Sequence, residues 1–68
     1  MRIQVNGESR EIAERSTVED LVRELSVAPQ RVAIELNRRV VRRDQWMETI
    51  LGESDRVEIV HFVGGGVY

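Results

Sequence analysis

Apolar and polar residues alternate at the start of the chain. Ile3 and Val5 are each followed by a polar residue, and the alternation leads into Asn6-Gly7. This dipeptide is typical of a type I′ hairpin turn, in which both central residues need a positive φ. The sequence therefore predicts a β-hairpin whose second strand, residues 8–12, carries the charges expected of an edge strand.

A helical spacing of apolar residues follows the hairpin. The residues recur at intervals of three and four, which places them on one face of an α-helix. They are Val18, Leu21, Val22 and Leu25. Residues 16–19 fit a capping box, in which the Ser16 hydroxyl accepts from the Glu19 amide and the Glu19 carboxylate reaches back to Ser16. Asp20 adds a further acid that is favourable to the helix dipole. We expect two to three helical turns, with the helical region ending at Pro29.

Alternation returns after the proline. Val32, Ile34 and Leu36 predict a third strand, which turns at residues 37–38 into a short strand through residues 40–41. Residues 42–46 predict a single helical turn, and residues 56–63 predict the last strand. One helix between two pairs of strands packs on one face of a single sheet through a right-handed crossover. The pattern thus predicts an α+β fold of the β-grasp (ubiquitin-like) type, with a mixed sheet of four to five strands on one main helix.

Three glycines, Gly64 to Gly66, follow the last strand and precede Val67 and Tyr68. Glycine loses more backbone freedom on folding than any other residue, so a run of three is a poor element of a packed domain. Without β-carbons, however, the backbone fits a slot too narrow for other residues, and three extended residues reach about 10 Å. We expect a ubiquitin-like domain, residues 1–63, with a flexible tail, residues 64–68, that inserts Gly64 and Gly65 into a partner's active site.

Composition narrows the classes of function. The chain has 68 residues, 41% hydrophobic, which predicts one small domain. It has no Cys, which excludes disulfides and thiolate chemistry and suits the cytoplasm. No apolar run reaches the ~18 residues that cross a bilayer, so no membrane association is expected. The net charge of -2 disfavours general binding to nucleic acid.

All ten basic residues are arginines. The absence of Lys excludes Schiff-base and amine-nucleophile chemistry, and it leaves the N-terminal amine as the only acceptor for an isopeptide bond. Any covalent partner is therefore expected to be attached through the C-terminus of the chain.

The last predicted strand presents two different faces. Val57 and Ile59 share one face, whereas Glu58, Val60 and Phe62 share the other. Because a lone buried carboxylate is costly, Glu58 marks its face as the solvent side. We therefore predict that Val60 and Phe62 are exposed and bind a partner protein.

Other chemistry-bearing residues give weaker signals. His61 lies on the Val57 face, where a single His is most often a residue at the rim of the core, so it is assigned no role. The sequence contains no metal-ligand spacing and no set of nucleophile, base and orienting group, which predicts a protein that is not an enzyme. The arginine cluster could contact RNA, although the acidic balance of the chain favours a solvated turn. This cluster consists of Arg38, Arg39, Arg42 and Arg43.

Over nearly its whole length, the chain resembles the ThiS-type sulfur carrier proteins of thiamine thiazole biosynthesis. The resemblance lies in the Asn6-Gly7 hairpin, in residues 33–37 and 40–46, and in the ending His61-Phe62-Val63-Gly64-Gly65-Gly66. The Arg-Asp-Gln-Trp segment, residues 43–46, and this ending are its most specific parts.

The resemblance implies a carrier that is the substrate of other enzymes. In this family a ThiF-type adenylating enzyme uses MgATP to convert the terminal glycine carboxylate into an acyl adenylate. Sulfur from a persulfide, supplied by a donor such as a cysteine desulfurase, then displaces AMP and leaves a thiocarboxylate, from which a ThiG-type thiazole synthase takes the sulfur. For this chain the resemblance assigns the reactive carboxyl to Gly66 and insertion into the enzyme to Gly64 and Gly65. It implies no cofactor bound by the chain itself.

Val67 and Tyr68 depart from the simplest family pattern, because they separate Gly66 from a free carboxylate. We expect a peptidase to remove them. The alternatives are that the two residues do not belong to the native protein, or that this is a variant that no longer carries sulfur. Three other functions also stay open: a sulfur carrier like the small subunit of molybdopterin synthase, a ubiquitin-like protein modifier, and a β-grasp module that binds RNA through the arginine cluster.

Overall fold

A computed structural model describes residues 1–62 of the chain. These residues form one α-helix and five strands: β1 (Arg2–Val5), β2 (Glu8–Glu11), α1 (Val18–Glu24), β3 (Val32–Leu36), β4 (Arg39–Val41) and β5 (Arg56–His61). Two single 3₁₀ turns, Pro29–Arg31 and Arg43–Gln45, precede β3 and follow β4.

The strands form one mixed sheet in the order β2-β1-β5-β3-β4. β5 is the central strand; it pairs in parallel with β1 and antiparallel with β3. The edge strands β2 and β4 pair antiparallel with β1 and β3. This topology confirms the predicted β-grasp fold, and it places the charged strand β2 at an edge as expected.

Both tight turns of the sheet use left-handed backbone. Asn6 and Gly7 have φ values of 50° and 84°, which confirms the type I′ turn predicted between β1 and β2. Asn37 and Arg38 have φ values of 51° and 72° and connect β3 to β4 in the same way. In each turn an asparagine is the first left-handed residue, a conformation that its short polar side chain tolerates.

The start of α1 lies one residue later than predicted. Thr17 is the N-cap: the Asp20 amide donates to Thr17 Oγ1 (3.1 Å), and the Thr17 amide donates to Asp20 Oδ2 (2.9 Å). The predicted box from Ser16 to Glu19 is wrong, because Thr17 is held extended by a β-bridge to Ile50. The Ser16 hydroxyl instead donates to the carbonyl of Ala13 (2.7 Å).

The end of α1 also differs from the prediction. The helix ends at Glu24 and is followed by Ser26 in a left-handed conformation, with φ of 59°. Pro29 begins the first 3₁₀ turn, so the expectation that it ends the helical region is wrong. The left-handed residue after a helix is usually Gly. Because this chain has Ser at that position, the sequence does not mark the end of the helix.

The core lies between α1 and one face of the sheet. Its buried residues include three of the four residues of the predicted helix stripe and inward residues of β1, β3 and β5, and the fourth stripe residue, Leu25, is partly buried against them. The buried residues are Ile3, Ile12, Val18, Leu21, Val22, Val32, Ile34, Trp46, Leu51, Val57 and Ile59. Trp46 is only 3% exposed and donates from Nε1 to the carbonyl of Val41 (2.9 Å). The Arg-Asp-Gln-Trp segment thus ends in a core residue.

Candidate functional site

The central strand β5 ends three positions before the glycine segment in the sequence. Its inward residues Val57 and Ile59 are buried, whereas Val60 is 51% exposed and Phe62, which follows the strand, is 58% exposed. The predicted exposure of Val60 and Phe62 is confirmed, and their binding of a partner stays a prediction. The strand was predicted to reach Val63; as described it ends at His61, although the Phe62 amide still donates to the carbonyl of Arg31 (2.8 Å).

The outer face of the sheet, opposite α1, extends this exposed apolar surface. Val60 lies opposite Ala33 in β3, and Glu58 lies opposite Glu35. Glu35 in turn lies opposite Val40 in β4, which is 68% exposed. The sequence pattern does not mark Val40 as part of this face, because its position there depends on the β3–β4 register. The outer face therefore carries apolar groups near the end of β5 and a pair of carboxylates beside them.

Asn6 attaches the end of β5 to the first turn. The Ile59 amide donates to Asn6 Oδ1 (2.7 Å), and Asn6 Nδ2 donates to the Ile59 carbonyl (3.3 Å). The Asn6 amide donates to the carbonyl of Val57 (2.9 Å). The side chain therefore pairs with the β5 backbone just beyond the point where β1 turns away.

Asn37 makes a related attachment at the beginning of β5. The Arg56 amide donates to Asn37 Oδ1 (3.0 Å), and Asn37 Nδ2 donates to Asp55 Oδ1 (3.1 Å). The Asn37 amide donates to the carbonyl of Arg56 (2.8 Å). The asparagine at the first position of each tight turn thus binds one end of the central strand.

His61 lies at the rim of the core, as predicted. It is exposed and lines a groove between the β1–β2 hairpin and the C-terminal end of α1, together with Arg10, Leu25 and Ile59. Within residues 1–62 no group of three or more His, Cys, Asp and Glu side chains is arranged to hold a metal ion.

The four clustered arginines do not converge on one surface. Arg38 lines a concavity on the outer face with Glu35 and Glu58. Arg43 lies beside α1, where its Nη1 donates to the carbonyl of Pro29 (3.3 Å), and Arg42 Nη2 is 3.6 Å from a carboxylate oxygen of Asp44. This separation does not favour a continuous phosphate-binding surface.

The predicted tail residues Gly64, Gly65 and Gly66, with Val63, Val67 and Tyr68, lie outside the described residues. The boundary predicted after residue 63 and the roles assigned to the glycines therefore stay predictions. In the part of the chain that is described, no helix is long and apolar enough to cross a membrane.

Comparison with known proteins gives a consistent result. The model of the ThiS family matches residues 3–66. The sulfur carrier protein ThiS of Bacillus subtilis is 32% identical over 65 residues, covering 94% of this chain and 98% of that protein. The crystal structure of a thiamine biosynthesis protein (ThiS) from Geobacter metallireducens is similar with a TM-score of 0.85 and 36% identity, covering 97% of this chain and 100% of that one.

A longer relative is also similar. The thiazole synthase of Magnetococcus marinus is 42% identical over 66 residues, which cover 97% of this chain but only 20% of that enzyme. The chain thus spans a fifth of the length of this relative.

Proposed function

This chain belongs to the ThiS family, and we propose that it carries sulfur as a thiocarboxylate formed on the carboxyl group of Gly66. The observation that carries the proposal is the extent of the family match. The match runs from residue 3 to Gly66 and stops before Val67. Only Phe62 and Val63 lie between the end of β5 and the glycines, so the sheet would present the glycine segment to an enzyme.

Activation requires a free carboxylate on Gly66. In the sequence this carboxyl group is bonded to Val67, so we propose that a peptidase first hydrolyses the Gly66–Val67 bond. The released α-carboxylate, with a typical pKa of about 3.3–3.7, is ionised near neutral pH and is a competent nucleophile.

An adenylating enzyme would then carry out the acyl activation with MgATP. A Gly66 carboxylate oxygen attacks the α-phosphorus and displaces pyrophosphate, which gives an acyl adenylate. A persulfide sulfur attacks the acyl carbon and displaces AMP. A thiol then reduces the resulting S–S bond and leaves the thiocarboxylate. The chain contributes the acyl group and a tail without β-carbons at Gly64 and Gly65, and the enzymes supply the catalytic groups.

The outer face of the sheet is the proposed docking surface. Val60 and Phe62 are exposed and lie immediately before the tail, so a protein that binds them also receives Gly66. Aromatic side chains such as Phe62 are enriched at the buried centre of protein interfaces, and a few buried residues there often dominate the affinity. Val40 adds a third apolar contact on the same face.

Thiazole synthase is the proposed acceptor of the sulfur. The support is the thiazole synthase of Magnetococcus marinus, in which a segment similar to this chain makes up 20% of the enzyme. Joining a carrier to its acceptor raises the effective concentration of one for the other to the order of millimolar. A separate chain would need a docking surface to achieve the same encounter.

Adenylation in vitro tests the proposal. The adenylating enzyme of the same organism is incubated with MgATP and with one of two forms of the chain: one that ends at Gly66 and one that retains Val67 and Tyr68. We expect pyrophosphate release only with the form that ends at Gly66. Equal release from both forms would contradict the assignment of Gly66, and release from neither would contradict the carrier function.

A further inference from the structure

The backbone of Ile59 in β5 is hydrogen-bonded to a side chain, that of Asn6, where a neighbouring strand would normally pair with it. The β3–β5 register ends at the pair Leu36–Val57. One position beyond it the Asn37 amide donates to the Arg56 carbonyl (2.8 Å), so Asn37–Arg56 continues the register as a hydrogen-bonded position. Hydrogen-bonded and non-hydrogen-bonded pairs alternate along an antiparallel ladder, so Ile34–Ile59, three positions further on, is a non-hydrogen-bonded pair. The amide and carbonyl of Ile59 therefore point away from β3, toward the side of β1.

β1 does not extend far enough to meet these groups. Its last register pair with β5 is Val5–Val57, and the chain then turns at Asn6-Gly7. The Asn6 side chain takes the place of the missing strand residue, since it offers an acceptor to the Ile59 amide and a donor to the Ile59 carbonyl. A carboxamide has the same donor and acceptor pair as a peptide group, which explains why Asn suits this position.

We propose that Asn6 is a positioning residue for activation of the tail. Beyond Val57, β1 no longer pairs with β5, and the Asn6 side chain binds the Ile59 backbone on that side. This contact keeps the end of β5 extended. This fixes the outward direction of Val60 and Phe62 and the point from which the following residues leave the sheet. The inference rests on the proposed function, because it concerns the presentation of Gly66 to the adenylating enzyme.

Loss of the Asn6 side chain would release the end of β5 from one of its two neighbours. The enzyme would then have to order this segment on binding. Ordering one residue of backbone corresponds to about a tenfold loss of affinity. The effect should appear in the KM for the carrier, while kcat for a chain that is already bound should change little.

The structure provides a matched control in Asn37. It has the same position in its turn and nearly the same φ, 51° against 50° for Asn6. Its side chain also accepts from a β5 amide, that of Arg56 (3.0 Å), but Arg56 is the first residue of β5, at the opposite end of the strand from His61. Replacement of either asparagine by Gly keeps the left-handed turn and removes only the side-chain hydrogen bonds.

The test compares Asn6→Gly, Asn37→Gly and Asn6→Asp with the wild type, each purified from the organism of origin in the form that its cells produce. ATP–pyrophosphate exchange by the adenylating enzyme gives kcat and KM for each carrier, and thermal unfolding gives its Tm. We expect both Gly variants to lose similar thermal stability, but only Asn6→Gly to raise KM, by about tenfold or more. Asn6→Asp keeps the acceptor for the Ile59 amide and should recover part of the loss.

The outcomes separate the inference from the proposed function. Equal KM values for Asn6→Gly and Asn37→Gly, with normal exchange by the wild type, would overturn the positioning role and leave the carrier function intact. A change in kcat alone would overturn it as well. A wild-type chain that supports no exchange would contradict the proposed function and, with it, the role of Asn6.

Discussion

Trp46→Phe tests whether the Arg-Asp-Gln-Trp segment stabilises the fold. The substitution loses the Nε1 hydrogen bond to the Val41 carbonyl, which contributes about 1 kcal/mol. It also removes about three ring atoms from a side chain that is 3% exposed, which adds roughly 1.5–2 kcal/mol. The expected loss is about 3 kcal/mol in the free energy of unfolding, or a Tm lower by about 10–20 °C.

Urea unfolding followed by far-UV circular dichroism measures this loss, since the variant lacks the Trp fluorophore. Met47→Ala is the control, because Met47 adjoins Trp46 in sequence but is 70% exposed, and its replacement should change stability by about 0.5 kcal/mol or less. A loss below about 0.5 kcal/mol for Trp46→Phe would refute the packing argument. At temperatures where both proteins are folded, adenylation of the variant should match that of the wild type.

Three further predictions concern the helix cap, the outer face and the tail. The Thr17 amide that donates to the Asp20 carboxylate lowers the pKa of Asp20 below its ordinary value of 3.8. Because the pKa is lower in the folded state, the ionised Asp20 carboxylate stabilises the fold when the pH is above the ordinary pKa. This stabilisation is lost as the pH falls through the folded-state pKa. Asp20→Asn should therefore be less stable than the wild type at pH 7, and the difference should close in acid; urea titrations that show a constant difference would count against the cap. Phe62→Asp should weaken binding to the adenylating enzyme by about thirtyfold or more while costing less than about 2 kcal/mol of stability, because Phe62 is already 58% exposed; calorimetry that found a larger stability loss would place Phe62 in the core. Gly65→Ala should leave the Tm unchanged and slow adenylation by about a hundredfold, because the added β-carbon would obstruct insertion of the tail into the active site of the adenylating enzyme. Unaltered adenylation kinetics would argue against insertion of the tail.

Local patterns were sufficient to predict most of the fold. The Asn6-Gly7 turn, the helix stripe and the alternation in β3 and β5 each depend on residues close in sequence, and the structure confirms them. The exposure of Val60 and Phe62 followed from the alternation about Glu58 and is confirmed in the same way.

The predicted start and end of α1 were wrong, because contacts between residues distant in sequence, or an unusual residue type, decide these positions. Ser16 and Thr17 both have an acidic residue three positions later, and the bridge from Thr17 to Ile50 selects the second. Ser26 ends α1 without the glycine that usually marks such a position.

Two features of the candidate site also depend on contacts that the sequence pattern does not contain. The Asn6 side chain binds Ile59, 53 residues away, so its role at the end of β5 is invisible to a pattern read over a few residues. Val40 becomes part of the outer face only through the register of β4 with β3. Turn chemistry predicted the backbone of Asn6 but not the use of its side chain.

The intact mass of the protein isolated from its own organism is the decisive measurement for Gly66 as the carrier of sulfur. It is measured before and after incubation with MgATP, the adenylating enzyme and a persulfide sulfur donor. We expect a native mass that corresponds to a chain ending at Gly66, followed by the replacement of one oxygen by sulfur. A native chain that retains Val67 and Tyr68 and whose mass does not change on incubation would contradict the proposed carrier function.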